Sequence, residues 1–269
     1  MPLPIALREG FGQQPELYDK ARPRYPEALF DTLIEQTGLE QDAKLLEIGP
    51  GPGIATRPLA ERGFSITAVE RSPAMAATAR RRLAPYPKVK VITGAFEEAK
   101  LPDNNFDLVF AATSLHWVNE AERFSKPHRL LKQAGHLAII NTNYLTDGHG
   151  DRFYEASKPI YEHYAPKTNM NQVNLTPGLQ EDLPARQELV PSRVDPELFK
   201  QTFFKVFPFY KSFRTREYLD WFSTLSTNLA LPAGTRRRFF GEMAELIEED
   251  FGGQISWHFG MSLTIAERL

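Results

Sequence analysis

Short apolar runs alternate with amphipathic stretches through the first half of the chain. Leu45-Leu46-Glu47-Ile48, Phe64 to Val69, Val89 to Ile92, Phe106 to Ala111 and His136 to Asn141 are rich in β-branched, aromatic and aliphatic residues. Turn formers bound each run, so they read as buried strands. Helical spacing fills the gaps. Leu29, Leu33 and Ile34 share one face of a helix that opens at Pro26 and stops at Gly38. Ile54 to Arg62 is helix-compatible. Ser72-Pro73 pairs a capping hydroxyl with a first-turn proline, starting a helix through Ala76, Ala79, Arg80 and Leu83 that Pro85 and Pro87 close. Helical stretches between strands demand crossovers, which predicts a parallel sheet with right-handed connections.

The alternation stops after the fifth strand. From Asn143 to about Arg193, Pro, Asn, Tyr and His are frequent, and Asp151 to Tyr164 is the one clear helix, with Phe153, Ile160 and Tyr161 inside. Leu198 to Phe213 is rich in Phe and reads as a sixth strand. Thr215 to Leu225 and Thr235 to Phe251 read as helices, and Gln254 to Glu267 as a last strand with near-alternation. Three regions follow: 1–142, a leader and an alternating α/β core; 143–195, an insertion; and 196–269, a last part that completes the sheet. Residues 1–14 are expected to be mobile or to order on a partner.

The turn after the first strand carries the chemistry. Gly49-Pro50-Gly51-Pro52-Gly53 places glycine where positive φ and close ligand approach forbid a Cβ. An acidic residue, Glu70, ends the next strand about 20 positions on, a separation suited to the hydroxyls of a ribose. A dinucleotide site reads G-x-G-x-x-G around a pyrophosphate. This turn is one residue shorter, and Pro50 and Pro52 carry no N–H to donate. Glu47 adds an anion beside it. These residues favour a nucleoside bearing positive charge over a dinucleotide.

With its downstream stretches, the chain resembles the class I S-adenosylmethionine-dependent methyltransferases. Glu47 to Gly53 is similar to their first motif, and Glu70 to their ribose-binding acid. Gly94-Ala95-Phe96-Glu97 through Leu101-Pro102, Phe106 to Ala111, and Leu130-Leu131-Lys132-Gln133-Ala134-Gly135-His136-Leu137 resemble later motifs of the same family. The resemblance covers roughly residues 15 to 145. It implies an α/β, doubly wound (Rossmann-like), mostly parallel seven-stranded sheet, with the last strand antiparallel beside the sixth and a helical insertion capping the site. S-adenosylmethionine is the implied cofactor and no metal is implied.

The resemblance also distributes roles. Glu47, Gly49, Gly51 and Gly53 fall at the methionine end, Glu70 at the ribose, and Met75, Ala95 and Phe96 around adenine. Many relatives carry Asp where Ala95 stands, so backbone amides or Glu97 must supply polarity there. Tyr18-x-x-x-Arg22-Pro-x-Tyr25-Pro resembles the leader of a small-molecule subset, the trans-aconitate methyltransferase-like enzymes, in which the leader folds over the cofactor. Tyr18 then faces the sulfonium, where an aromatic face attracts a cation, and Arg22 pairs with the methionine carboxylate or an acidic substrate. Thr113-Ser114-Leu115-His116-Trp117 follows the fourth strand, at the edge where open α/β sheets bind ligands. Thr113 is placed at the cofactor, and His116 as a general base or a substrate hydrogen-bond partner.

Composition narrows the substrate. The net charge is −2, with 42% hydrophobic and 25% charged residues and no cysteine. That is an ordinary globular composition without electrostatic drive toward nucleic acid, and it excludes a cysteine nucleophile. No run is long enough to span a membrane and no basic-then-apolar leader begins the chain, so a cytoplasmic location is expected. The fourth strand ends in Phe-Ala-Ala-Thr-Ser, not the Asn/Asp-Pro-Pro-Tyr/Phe element that holds a nucleobase amine. The expected partner is a small molecule, with neither nucleic acid nor membrane, and the expected reaction is O-methylation of a carboxylate or hydroxyl. Tyr144, Phe153, Tyr154, Tyr161, Trp221 and Phe222 offer apolar walls. Arg80-Arg81-Arg82 and Arg236-Arg237-Arg238 read as solvated helix faces. Two other functions stay open: a non-catalytic module that binds S-adenosylmethionine or S-adenosylhomocysteine, and an NAD(P)-dependent reductase.

Overall fold

The computed structural model describes residues 14–145, 150–164, 189–225, 228 and 231–269. Five parallel strands come from the apolar runs: β1 (Lys44–Ile48), β2 (Ser65–Glu70), β3 (Val89–Thr93), β4 (Phe106–Ala112) and β5 (Leu131–Tyr144). With β6 (Phe199–Arg214) and β7 (Gln254–Arg268) they form one seven-stranded sheet in the order β3-β2-β1-β4-β5-β7-β6. β7 lies antiparallel between β5 and β6, as the resemblance implied. The helices are α1 (Pro15–Ala21), α2 (Glu27–Thr37), α3 (Thr56–Glu61), α4 (Pro73–Leu83), α5 (Ser125–Leu130), α6 (Gly150–Tyr164), α7 (Thr215–Ser223) and α8 (Ala233–Phe251).

Period-two patterning explains the layers. Leu108 and Phe110 of β4 face the core that holds Leu29, Phe30 and Leu33 of α2, while Val109 and Ala111 face the opposite core with Phe96 and Leu130. β7 serves two cores with one face. Met261, Leu263 and Ile265 pack with α2, whereas Ile255, Trp257 and Phe259 enter an aromatic cluster with Phe213, Tyr218, Trp221, Phe222 and Phe239. The sheet order reverses direction at β1 and β4, and the crevice at their carboxyl ends is the ligand position of such sheets.

Several elements differ from expectation. Residues 95–99 form a turn, so no α-helix separates β3 from β4. The glycine turn delays α3 to Thr56. The leader holds a helix that no motif announced: Pro15 starts α1 at a position where its missing N–H costs nothing, and the helix stops before Pro23. β5 runs past the boundary at 142 because β7 pairs with it from His136↔Glu267 to Tyr144↔Phe259. Of residues 1–14, expected to be mobile or to order on a partner, 1–13 fall outside the described residues, as does much of the insertion. No described helix is long and apolar enough to cross a membrane.

Candidate active site

A cavity opens at the carboxyl ends of β1, β2 and β4. The Gly-Pro-Gly-Pro-Gly turn makes its floor. Gly49 (φ 66°) passes so close to the β4 loop that a Cβ would sit 2.8 Å from Ser114 Cβ. Ser114 Oγ donates to the Ile48 carbonyl, fixing that approach. Gly51 (φ 58°) has no atom within 4 Å of where a Cβ would stand, so its backbone is open to a ligand. Gly53 lies outside the lining; its Cβ would meet Leu83 at 3.0 Å, so its glycine serves packing against α4.

Two buried carboxylates face this turn. Glu47 is 1% exposed and lines the cavity. Its Oε2 accepts from Thr56 Oγ1 at 2.5 Å, and its Oε1 has no partner. Burial pushes its carboxyl up to about 8, Thr56 opposes this, and neighbouring Glu70 adds to it. This burial favours a protonated Glu47 at neutral pH. Glu70 accepts from the amides of Gly51 and Ser72, each at 2.8 Å. Burial still raises its pKa against those donors. Each Glu70 oxygen retains acceptor capacity for a hydroxyl.

Met75 and Phe96, 2% and 4% exposed, line the same end with Glu97, Trp117 and Val118. Ala95 is not part of the lining; its carbonyl closes the 95–99 turn, accepting from the amides of Glu98 and Ala99. The Ser72 cap holds as expected, its Oγ accepting from Met75 N at 3.4 Å.

The other end is built from distant segments. Tyr18, Arg22 and Tyr25 of the leader meet Thr113, His116, Thr142, Tyr144 and Leu225. Thr113 adopts φ 55°, costly for a β-branched residue. Its amide donates to the Ile140 carbonyl at 2.8 Å, and its hydroxyl lies 3.4 Å from both the Tyr25 and Thr142 hydroxyls. Burial pushes Tyr25 up to about 12 despite Thr113, and raises Tyr144 above its ordinary value. His116 goes the other way, to about 4, through burial and the Arg123 charge. The guanidinium of Arg22 lies 4.6 Å from the Tyr18 ring centroid and donates to the Thr224 carbonyl at 2.9 Å. That ring face therefore already carries a cation.

The basic cluster of α4 is exposed, as expected, and each of its arginines is also partnered. Arg81 pairs with Glu16 at 2.5 Å, Arg82 with Asp19 at 2.5 Å, and Arg80 donates to Val91 O and Thr93 Oγ1. Asp19 is only 3% exposed and also takes Arg24 at 2.9 Å. These pairs hold α1 over the cavity, with Tyr18 and Arg22 inward. Arg236 to Arg238 do not line it. Among the expected apolar walls, Tyr144 lines the cavity, whereas Phe153, Tyr154, Tyr161, Trp221 and Phe222 belong to the aromatic cluster. Sequence reasoning missed Thr142 and Leu225, which carry no motif. No group of His, Asp and Glu among the described residues is placed to hold a metal.

The methyltransferase domain family matches residues 46–139. An uncharacterized methyltransferase of Mycobacterium tuberculosis is 32% identical over 130 residues, 48% of this chain and 51% of its own length. An uncharacterized methyltransferase-like protein of Schizosaccharomyces pombe is 31% identical over 124 residues, 46% of this chain and 47% of its own. The chain thus spans about half the length of the curated relatives it matches. A solved structure from Anaeromyxobacter dehalogenans, titled as a type II methyltransferase, superposes with a TM-score of 0.60 at 20% identity, covering 91% of this chain and 97% of its own, which shows a shared fold. Residues 46–139 thus carry a methyltransferase domain, in agreement with the class I S-adenosylmethionine-dependent family that the motifs resemble.

Proposed function

We propose that this chain transfers the methyl group of S-adenosylmethionine to an oxygen of a small molecule, a carboxylate in preference to a hydroxyl. One observation carries the reading. A single cavity joins two buried carboxylates and a glycine turn at one end to Arg22, Tyr25, Thr113 and Thr142 at the other. The first end fits the cofactor. Glu47 Oε1, buried and unpartnered, suits a positively charged ligand end. The Glu70 oxygens suit ribose hydroxyls, and Gly51 lets the ligand lie against backbone.

When bound, S-adenosylmethionine supplies an electrophilic sulfonium methyl group. The protein's part is alignment and exclusion of water. Groups at the acceptor end are poor proton acceptors at neutral pH. His116 is neutral and weakly basic, while Tyr25 stays protonated and donates. An acceptor that arrives already ionised needs no base, which favours a carboxylate held by Arg22 and the hydroxyls of Tyr25, Thr113 and Thr142. The concave cavity and the net charge of −2 support a small molecule over nucleic acid or a membrane surface.

The test is incubation with methyl-labelled S-adenosylmethionine and a metabolite extract, followed by mass analysis for the gain of one methyl. The expected product is an acidic metabolite whose label is released by mild alkali, as an ester releases it. Alkali-stable label defeats the carboxylate assignment. Binding of the cofactor without transfer to any fraction instead supports a non-catalytic module.

A further inference from the structure

Lys126 carries no motif, yet it is the one buried lysine or arginine among the described residues. It sits on α5, 3% exposed, and its ammonium donates to the carbonyls of Phe96 at 2.6 Å, Glu97 at 2.9 Å and Ala99 at 2.8 Å. Those three bonds use all its protons. Its Nζ also lies 5.1 Å from the Phe96 ring centroid. A lysine is almost never fully buried unless paired, and no carboxylate among the described residues forms an ion pair with this one. Its charge is compensated by backbone oxygens of a single turn.

That turn is the corner of the cavity. Phe96 and Glu97 line it, whereas Lys126 does not. The Ala95 carbonyl is taken by the amides of Glu98 and Ala99, both at 3.1 Å. With Lys126 holding the next ones, the carbonyls of residues 95–97 and 99 are all engaged within the turn or behind it. Every peptide bond here is trans, so the Phe96 carbonyl pointing at Lys126 turns the Glu97 N–H the opposite way. Glu97 Oε1 in turn accepts from Asn119 N at 2.8 Å, tying the corner to the segment after Trp117 and Val118, which line the facing wall.

We propose that Lys126 is a positioning residue for the cofactor's base. It draws the turn's carbonyls away from the cavity, so that the corner presents the Phe96 ring and N–H donors, the complement of an aromatic heterocycle with ring-nitrogen acceptors. This rests on the reading in which the cavity takes S-adenosylmethionine. Lys126 acts through Phe96 and Glu97, not by touching the ligand.

The test is a double-mutant cycle read by calorimetric titration with S-adenosylhomocysteine, using wild type, Lys126→Met, Phe96→Ala and the double variant, with Lys126→Arg and Lys126→Gln as further variants. Expected are a roughly 10-fold to 30-fold rise in Kd for K126M, a comparable rise for F96A, and a double variant no worse than about threefold beyond the weaker-binding single, because both act on one corner. K126R, which keeps charge and donors, is expected within about threefold of wild type, with K126Q between. If K126M does not fold, K126Q and K126R decide through the same ordering. K126M or K126Q binding as wild type does, or effects that add in the double variant, overturns the proposal. Wild type failing to bind S-adenosylhomocysteine overturns the functional reading itself, a different result.

Discussion

The two ends of the cavity are built in opposite ways. Glu47, Gly49, Gly51, Glu70 and Met75 come from one strand–turn–helix–strand–helix run, and their geometry follows from local rules: a strand end, a glycine turn and a capped helix. The acceptor end joins leader, β4 loop, β5 and the segment after α7, with Tyr25 and Thr113 separated by 88 positions and Thr113 and Thr142 by 29. In the proposed function the first end takes the cofactor. The second, which depends on how an aromatic cluster and a salt-bridged leader bring distant segments together, takes the acceptor.

Breaking the support of the second end should cost stability before chemistry. Trp221→Ala opens the aromatic cluster, where Trp221 is 3% exposed; a loss of about 4 kcal/mol is expected in denaturant unfolding, with S-adenosylhomocysteine Kd of the folded protein nearly unchanged. An equally large change in Kd would show that the two ends are not separable.

Next in size are the carboxylates. Glu47 titrates near 8 in the folded protein, above the ordinary glutamate value. Between those values the folded state holds a proton that the unfolded state has lost, so wild-type stability falls as pH rises through that window. Glu47→Gln should remove this fall and gain about 3 kcal/mol at pH 7. The same change should weaken S-adenosylhomocysteine by about 30-fold. In wild type, binding a cationic ligand should release a proton from Glu47, so affinity climbs with pH toward about 8. Titrations in buffers of different ionisation enthalpy detect that proton; none released would sink the assignment of Glu47 to the cationic end.

Arg22→Lys sharpens the division. It keeps charge but loses the fork and the stack on Tyr18. The expected result is a roughly 10-fold rise in acceptor KM with Kd for S-adenosylhomocysteine changed under about threefold. The reverse pattern moves Arg22 to the cofactor end. Smallest is Arg81→Ala. Its pair with Glu16 is mostly exposed on both sides, so thermal unfolding should change by no more than about 0.5 kcal/mol.

Legibility in the sequence follows the same division. The seven strands, most helices and the glycine–acid pair could be read because apolar period, caps and turn residues encode them locally. The 95–99 turn stands where a helical connection was expected, and the lysine that takes its carbonyls, Lys126, lies far along the chain with no motif to announce it. The left-handed Thr113 leaves no trace in composition; it follows from the pull of the Ile140 carbonyl and the neighbouring hydroxyls. Arg81 and Arg82 are exposed as read from the sequence, but their pairing with Glu16 and Asp19 was not legible, because those partners lie more than 60 positions away on α1.

The most direct measurement is calorimetric titration of wild type and Glu70→Ala with S-adenosylhomocysteine and, separately, NADH. Saturable one-to-one binding of S-adenosylhomocysteine, weakened roughly 100-fold by removal of the Glu70 carboxylate, with no binding of NADH, is what this cavity predicts. NADH binding without S-adenosylhomocysteine binding would contradict it.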